Sequence, residues 1–321
     1  YLVVSGKKRN FAAKLDVELN ELRMKQVEER YISLLTDFGF KRIFGTAMNK
    51  DLLICFLNSL FNGRQVVKDV SYLNPEHVGD VYTDRKAIFD VYCEGENGEK
   101  FIVEMQNAYQ AYFKDRSLFY STFPIREQAP KGNDWDFKLN HVYTVALLNF
   151  NMNEDAFDKE KIRHHVQLCD TATHKIFYDK LEFIYVEIAK FNKTLEELET
   201  LYEKWLYALK NLYKLTQRPK ELCDKVFDRL FEEAEIAKFT PQEMREYEAS
   251  KMAYRDIKNS IDTAKQEGLA EGMEKGMKKG MEKGMNQKAL DIARNMLADS
   301  VDINLIMKYS GLTQEQIEKL K

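Results

Sequence analysis

Two short runs in which apolar and polar residues alternate face each other across a polar turn, at residues 87–93 (AIFDVYC) and 101–106 (FIVEMQ). Successive side chains of a β-strand point to opposite faces of the sheet, so each run predicts a strand with one apolar face. With the apolar faces in a common core, Asp90, Glu104 and Gln106 are expected to emerge together on the opposite face. The residues expected in that core are Ala87, Phe89, Val91, Cys93, Phe101, Val103 and Met105.

The two carboxylates share a face only if the hairpin pairs Asp90 with Glu104, because opposed residues of an antiparallel pair lie on one face. Asn97-Gly98 is a strong signal for a two-residue type I′ turn. Such a turn would pair Phe89 with Gln106 and place the carboxylates on opposite faces. The core pattern therefore predicts an odd-length loop or a bulge within residues 94–100.

Charged residues on the outer face of an amphipathic hairpin are usually solvated, and this is the simpler interpretation of the pattern. However, Ile88, Tyr92 and Ile102 share the outer face and indicate that it is partly covered. Half-buried carboxylates repel each other unless a cation or a proton intervenes. Because Mg²⁺ binds one or two carboxylates together with waters and a phosphate, the pattern is also that of a metal site.

The hydrophobic pattern elsewhere predicts a mixed α/β first half and a helical second half. Helical periodicity over residues 31–61 ends at Asn62-Gly63, as is typical of a helix C-terminus. A capping box of Thr194 with Glu197 then starts a helical region that continues to about residue 263. The other predicted features are a strand over 66–73, a helix over 109–128, strands over 138–150 and 166–191, and helix breaks at Pro219 and Pro241.

A glycine repeat with a period of four residues follows the helical region. Each glycine inside a helix costs about 1 kcal/mol relative to alanine, so an isolated helix here is expected to be marginal. Two interpretations stay open: helices of two chains pack through the glycine stripe and form a homo-oligomer, or the segment is a semi-flexible, lysine-rich linker. The glycines are Gly268, Gly272, Gly276, Gly280 and Gly284.

Residues 302–320 have the outline of a helix–turn–helix around a central Gly311. A DNA-binding motif and a plain helical hairpin both fit this outline. We prefer the hairpin because its second helix carries Glu315 and Glu318, which would repel phosphates.

Composition indicates two or so domains: the chain has 321 residues, 44% hydrophobic and 31% charged, and no apolar run long enough to span a membrane. The net charge of −3 argues against a generally basic surface but is compatible with a local basic groove. Cys55, Cys93, Cys169 and Cys223 form no CxxC pair, which predicts reduced core residues in a cytoplasmic protein. The sequence shows no secretory signal pattern, which also favours the cytoplasm.

Three segments, TDFGFKRIFG at 36–45, FDVYCEGENGEKFIVEMQ at 89–106 and RSLFYS at 116–121, resemble the bacterial PD-(D/E)XK nuclease family transposases, relatives of the recombination-promoting nucleases. The resemblance continues through residues 183–212, 234–243 and the glycine repeat. It implies an α/β (α+β) restriction-endonuclease-like core, in which helices flank a mixed sheet, followed by an all-α C-terminal region. It also implies cleavage of DNA with Mg²⁺, for which Mn²⁺ is a possible substitute.

By this resemblance Asp90 and Glu104 match the metal-binding acids, and Gln106 matches the position that Lys holds in the superfamily signature. Phe89 stands where that signature has Pro. Since Gln106 carries no charge, the positive charge that stabilises the phosphate is expected from Lys41, Lys100 or Arg116.

Asp37 or Lys41, in the leading helix, corresponds to a family motif with a supporting role. Arg116 and Tyr120 are four residues apart on one helix face, where they are expected to meet phosphate.

The sequence as a whole predicts a Mg²⁺-dependent DNA endonuclease associated with recombination or transposition. The alternative is a DNA-binding or oligomeric recombination-accessory protein with a degenerate nuclease core. We expect DNA as a partner, a homo-oligomer formed through the helical C-terminal part, and no membrane association. The predicted segments are a helical lead-in over 1–30, the nuclease-like domain over 31–192, a helical region over 193–264, the glycine segment over 265–287 and a C-terminal hairpin over 288–321.

Overall fold

The structure is a computed structural model that describes residues 29–77, 87–129, 136–152 and 158–320. The helical lead-in predicted for residues 1–30 therefore lies almost wholly outside the described residues. The chain divides into two compact units, Tyr1–Lys258 and Asn259–Lys321.

Two short helices, α1 (Asp37–Phe44) and α2 (Lys50–Phe61), replace the single helical segment that the periodicity suggests. Thr36 begins α1 by accepting a hydrogen bond from the Gly39 N–H at 3.1 Å. Asn62, in the left-handed conformation with φ of 50°, ends α2 as predicted. The apolar positions that predict these helices are fully buried and are Phe40, Ile43, Phe44, Leu52, Leu53, Phe56, Leu57 and Leu60.

A six-stranded mixed sheet with the order β1-β4-β5-β6-β8-β7 forms the centre of the first unit. Strands β5, β6 and β8 run parallel, and the other neighbours are antiparallel. Strands β2 and β3 pair separately. The strands are β1 (Val70–Tyr72), β2 (Glu76–His77), β3 (Ala87–Ile88), β4 (Val91–Gly95), β5 (Lys100–Gln106), β6 (Val142–Leu148), β7 (Arg163–Cys169) and β8 (Ile176–Glu187).

Helices cover both faces of this sheet, which confirms the predicted fold class. On one face, odd-numbered residues of β5 such as Val103 pack with α1, α2, α4 (Leu201–Asn211) and α5 (Lys225–Glu233), around the fully buried Trp205. On the other face lies α3 (Phe113–Glu127), which contacts Tyr92 and Ile102. All residues of β6 are buried, as expected for a central strand covered on both sides.

Only part of the cysteine prediction is correct. All four thiols are free; Cys93 is buried and Cys55 is half-buried, but Cys169 and Cys223 are exposed. Cys169 ends the edge strand β7 just after a register shift, and Cys223 follows a short 3₁₀ turn. Neither position is covered by another element, which is why the expectation of four core cysteines is wrong.

The glycine repeat lies inside the long helix α6 (Pro241–Ala298), which crosses the boundary between the two units. Pro241 is its first residue, where a proline costs no helix hydrogen bond. In the second unit α7 (Ile303–Ser310) and α8 (Gln314–Glu318) follow, and Ala293, Ile306 and Ile317 form their small core. Among the helices of the described residues, none is both long and apolar enough to cross a membrane.

Candidate active site

The β4–β5 hairpin has the register that the core pattern demands. Val91 pairs with Val103, and Glu94 pairs with Lys100. The Gly95 N–H donates to the Glu99 carbonyl at 2.8 Å, which leaves residues 96–98 as an odd-length loop. Gly98, with φ of 82°, takes the left-handed position typical of a three-residue hairpin loop. The prediction of an odd-length loop is confirmed, and the two-residue turn does not form.

Asp90 and Glu104 lie side by side where the ladder between these strands begins. The Asp90 N–H donates to Glu104 Oε1 at 3.3 Å, and the Met105 N–H donates to Asp90 Oδ2 at 2.8 Å. Each side chain thus accepts a hydrogen bond from the opposing backbone, which fixes both carboxylates at the end of the pairing. Glu104 is only 5% exposed.

Phe89 does not share a face with Val91 and Cys93, so that part of the predicted core is wrong. Its ring packs 5.3 Å from those of Tyr92 and Tyr120, on the α3 side of the sheet. The Phe89 N–H donates to the Pro75 carbonyl at 3.0 Å rather than to β5. Because the ladder is interrupted between β3 and β4, the alternation of faces does not continue across this point.

Two predicted residues approach the acid pair directly, and a third holds one of them in place. Gln106 Nε2 donates to Glu104 Oε2 at 3.0 Å. Lys41 Nζ lies 3.9 Å from Asp90 Oδ1 and 2.7 Å from Asp37 Oδ1, so Asp37 holds the ammonium group beside the site. Lys41 and Asp37 are one turn apart on α1.

Arg116 and Tyr120 reach the site from α3. The Arg116 guanidinium lies 5.5 Å from the centroid of the Tyr120 ring, and its charge acts on both Asp90 and Glu104. Lys100, in contrast, starts β5 at the end away from Gln106 and pairs with Glu94 at 3.1 Å. The structure therefore places Asp37, Lys41, Gln106, Arg116 and Tyr120 near the acid pair. Lys100, the other lysine considered for the positive charge, lies away from it.

The electrostatics of the site follow from two acids that share a buried space. Burial and the neighbouring Asp90 raise the pKa of Glu104 to about 8. Burial also raises the pKa of Asp90, although the Met105 N–H and Lys41 oppose the shift. Burial disfavours the charged form of Lys41, but the hydrogen bond to Asp37 and the two acids outweigh it and raise its pKa. Lys41 therefore stays charged at neutral pH.

Among the residues that the structure describes, no group of three or more histidine, cysteine or acidic side chains is arranged to hold a metal ion. The acid pair alone offers two carboxylates, and Mg²⁺ typically uses one or two of these together with waters and substrate phosphates. A divalent cation would also relieve the repulsion that raises the Glu104 pKa. The donor set thus fits a hard cation completed by the substrate.

A surface groove of about 550 Å³ lies at the N-terminal half of α3, and the predicted residues Arg116 and Tyr120 line it. Gln110, absent from the predicted residues, accepts a hydrogen bond from Arg116 Nη1 at 2.5 Å. Tyr112 and Phe119 also line the groove. The sequence signal for these residues is aromatic side chains at helical spacing, which is equally typical of a core face.

Comparison with known proteins gives two family matches, while no curated protein and no solved structure matches the chain significantly. Residues 286–321 match the C-terminal HTH domain of the Rpn/YhgA-like nuclease family. The match favours the DNA-binding interpretation of the helix–turn–helix outline over the plain hairpin preferred from the sequence. Residues 34–264 match the PD-(D/E)XK nuclease family transposase model. Because this match covers most of the chain, the protein belongs to the PD-(D/E)XK nuclease family transposases.

Proposed function

We propose that this protein is a metal-dependent DNA endonuclease that hydrolyses phosphodiester bonds during recombination or transposition. The observation that supports this most strongly is the pair formed by the half-buried Asp90 and the buried Glu104, held together by reciprocal backbone hydrogen bonds. Its location in a domain of a nuclease family transposase points the same way. A cytoplasmic location, expected from the cysteines, stays a prediction.

Asp90 and Glu104 would hold a divalent cation, Mg²⁺ or Mn²⁺, which polarises the scissile phosphate and activates a water molecule. Gln106 fixes the Glu104 carboxylate through its amide N–H. Its amide oxygen can then accept a hydrogen bond from the attacking water and orient it. This role needs no charge, so Gln at this position is compatible with hydrolysis.

The positive charge that Gln106 lacks is supplied, in our proposal, by Lys41 and Arg116. Lys41 is the nearer of the two, at 3.9 Å from Asp90. Cations fixed where negative charge develops on a phosphate stabilise the transition state without reorganisation. We do not assign this role to Lys100, because it lies at the end of β5 away from Gln106 and the acid pair.

Nicking of supercoiled plasmid in a series of Mg²⁺, Mn²⁺ and Ca²⁺ tests the proposal. Asp90→Asn and Glu104→Gln are expected to lower the nicking rate at least about 10²-fold while DNA binding in Ca²⁺ is retained. The matched control is Glu96→Gln, an exposed acid in the loop of the same hairpin. Equal nicking by the wild type and both site variants would contradict the proposed nuclease activity.

A non-cleaving DNA-binding or recombination-accessory protein is the second candidate. The specific observation that favours it is Gln106, an uncharged amide at a position that holds Lys in the superfamily signature. The helix–turn–helix match over residues 286–321 would supply the DNA contact. DNA binding in Ca²⁺ without nicking in any metal would select this candidate.

We also propose that the protein forms a homo-oligomer in which α6 helices of different copies pack through the glycine repeat. The glycines are exposed, and a Cβ added to any of them would meet, within 4 Å, no described atom beyond the adjacent residues and the nearby backbone of the same helix. Met273, Met277 and Met281 are 64–74% exposed on the same helix and would be covered by a second copy. Sedimentation of Gly276→Ala with Gly280→Ala is expected to show a lower mass than the wild type, and Lys279→Ala serves as the control. An unchanged mass would contradict the proposal.

A further inference from the structure

Three of the seven residues that line the groove beside the acid pair carry aromatic rings. Tyr112, the residue just before α3, borders it together with Arg116, Phe119 and Tyr120 of the helix itself. Positions 112, 116, 119 and 120 have the i, i+4, i+7, i+8 spacing that places them in line along a helix. Tyr112 is 78% exposed and Phe119 is 43% exposed.

Tyr112 and Phe119 are not needed to complete the core, whereas Tyr120 also packs against the buried Phe89 ring. The contacts of α3 with the sheet are made by residues such as Phe113 and Ser117, both of which are buried. A contiguous exposed patch of large apolar side chains in a concave setting usually marks a binding site. The volume of about 550 Å³ lies within the range of about 300–1,000 Å³ that is usual for small-molecule sites and is ample for a nucleobase.

The charge of the groove argues against a site for the sugar-phosphate backbone alone. Its lining contains one cation, Arg116, and one carboxylate, Asp115, so the two charges cancel. Backbone binding by contrast relies on several unopposed Lys and Arg side chains. Aromatic faces stack on nucleobases of any sequence, and a guanidinium adds a cation–π contact.

Arg116 joins the groove to the acid pair, since it lines the groove and its charge acts on both Asp90 and Glu104. We propose that the groove binds an unpaired nucleobase next to the scissile phosphate. The DNA substrate of this site is then single-stranded or has a base turned out of the duplex. This inference rests on the proposed nuclease function, because it takes the acid pair as the place where the phosphate lies.

Binding of two labelled DNA chains of equal length, measured by fluorescence anisotropy in Ca²⁺, tests the inference. One chain is oligothymidylate and the other has the same backbone with abasic sites in place of every base. Because a stacked base is worth about 1–3 kcal/mol, the wild type should bind the chain with bases about 5-fold to 150-fold more tightly.

Tyr112→Ala and Phe119→Ala should each reduce this preference toward equal binding, whereas Phe119→Trp should keep it. Leu118→Ala is the matched control, because Leu118 is 51% exposed on the same helix but does not line the groove. Tyr112 is so exposed that its loss cannot unfold the protein.

Equal binding of both chains by the wild type would overturn the inference, as would a preference that neither alanine variant changes. The two proposals fail separately. Plasmid nicking without a preference for the chain with bases would support the nuclease proposal and contradict the base-binding groove. A preference for bases that depends on Tyr112 and Phe119, without nicking in any metal, supports base binding and removes the nuclease.

Discussion

Replacing Glu104 with Gln should make the metal-free protein more stable while it removes the proposed activity. Glu104 is 5% exposed and lies beside Asp90, and both facts raise its pKa. Gln has the same size and can still accept the Asp90 N–H, while Gln106 can turn its amide to offer an oxygen to the new NH₂ group. The substitution therefore removes a group whose charged form is disfavoured by burial and keeps the hydrogen bonds.

The magnitude follows from proton linkage. The Glu104 pKa is about 8 in the folded protein against an ordinary value of 4.5. Between these values the folded state keeps a proton that the unfolded state has lost, so the free energy of unfolding of the wild type falls as the pH rises. At about 1.4 kcal/mol per pKa unit, the full interval amounts to roughly 5 kcal/mol at most. Glu104→Gln has no such group, so its advantage is absent near pH 4 and largest above pH 8.

The assay is urea unfolding of both proteins in EDTA at a series of pH values from 4 to 9, repeated with excess Mg²⁺. Binding of a ligand to the folded state alone stabilises it by about 2.7 kcal/mol at 100 times its dissociation constant. Mg²⁺ should therefore stabilise the wild type and have little effect on Glu104→Gln. Glu96→Gln controls for the loss of an exposed charge on the same hairpin.

Parallel pH dependences of the wild type and Glu104→Gln in EDTA would refute the reasoning, because Glu104 would then have an ordinary pKa. A variant that is less stable than the wild type at pH 9 would do the same. Equal stabilisation of both proteins by Mg²⁺ would show that the cation binds elsewhere.

Two further changes test the charge and the packing of the site. Lys41→Met should lower the nicking rate about 10²-fold to 10³-fold. Adding Gln106→Lys to this variant should restore part of the rate, because Gln106 Nε2 lies 3.0 Å from Glu104 and a lysine there would place a positive charge beside the acid pair. A wild-type rate for Lys41→Met alone would show that Arg116 suffices. Trp205→Ala should lower the free energy of unfolding, measured in urea, by about 3–5 kcal/mol. The reason is that Trp205 is fully buried among the rings of Phe44, Phe56 and Phe227. A decrease below about 1 kcal/mol would mean that the surrounding helices close the cavity.

Local patterns predicted the parts of the fold in which each residue's own chemistry decides its structure. Asn62 ends α2 because its φ of 50° suits Asn, and Pro241 begins α6 because its missing N–H costs nothing there. The hairpin register is another case, since an apolar face that must be buried overrides the turn preference of Asn97-Gly98. The acid pair was predictable for the same reason.

Tertiary contacts decide what the sequence missed. Phe89 lies on the α3 side because the ladder breaks beside it, and no local pattern marks that break. Cys169 is exposed because β7 is an edge strand after a register shift, a fact that depends on the order of the strands. The groove likewise requires α3 to be placed over the sheet, and the spacing of Tyr112 and Phe119 alone does not separate a binding face from a core face.

If the proposed function holds, Gln106 and Lys41 together would explain how this nuclease core works with an uncharged residue in its signature. A lysine on β5 beside Glu104 would have to share a buried space with the acid pair. Lys41 instead approaches from α1, where it is 41% exposed and where Asp37, 2.7 Å away, keeps it charged and directed toward Asp90. The strand position is then free for an amide that orients Glu104. On this account the positive charge comes from helix α1 rather than from strand β5. Removing Asp37 should therefore impair the site as much as removing Lys41 does.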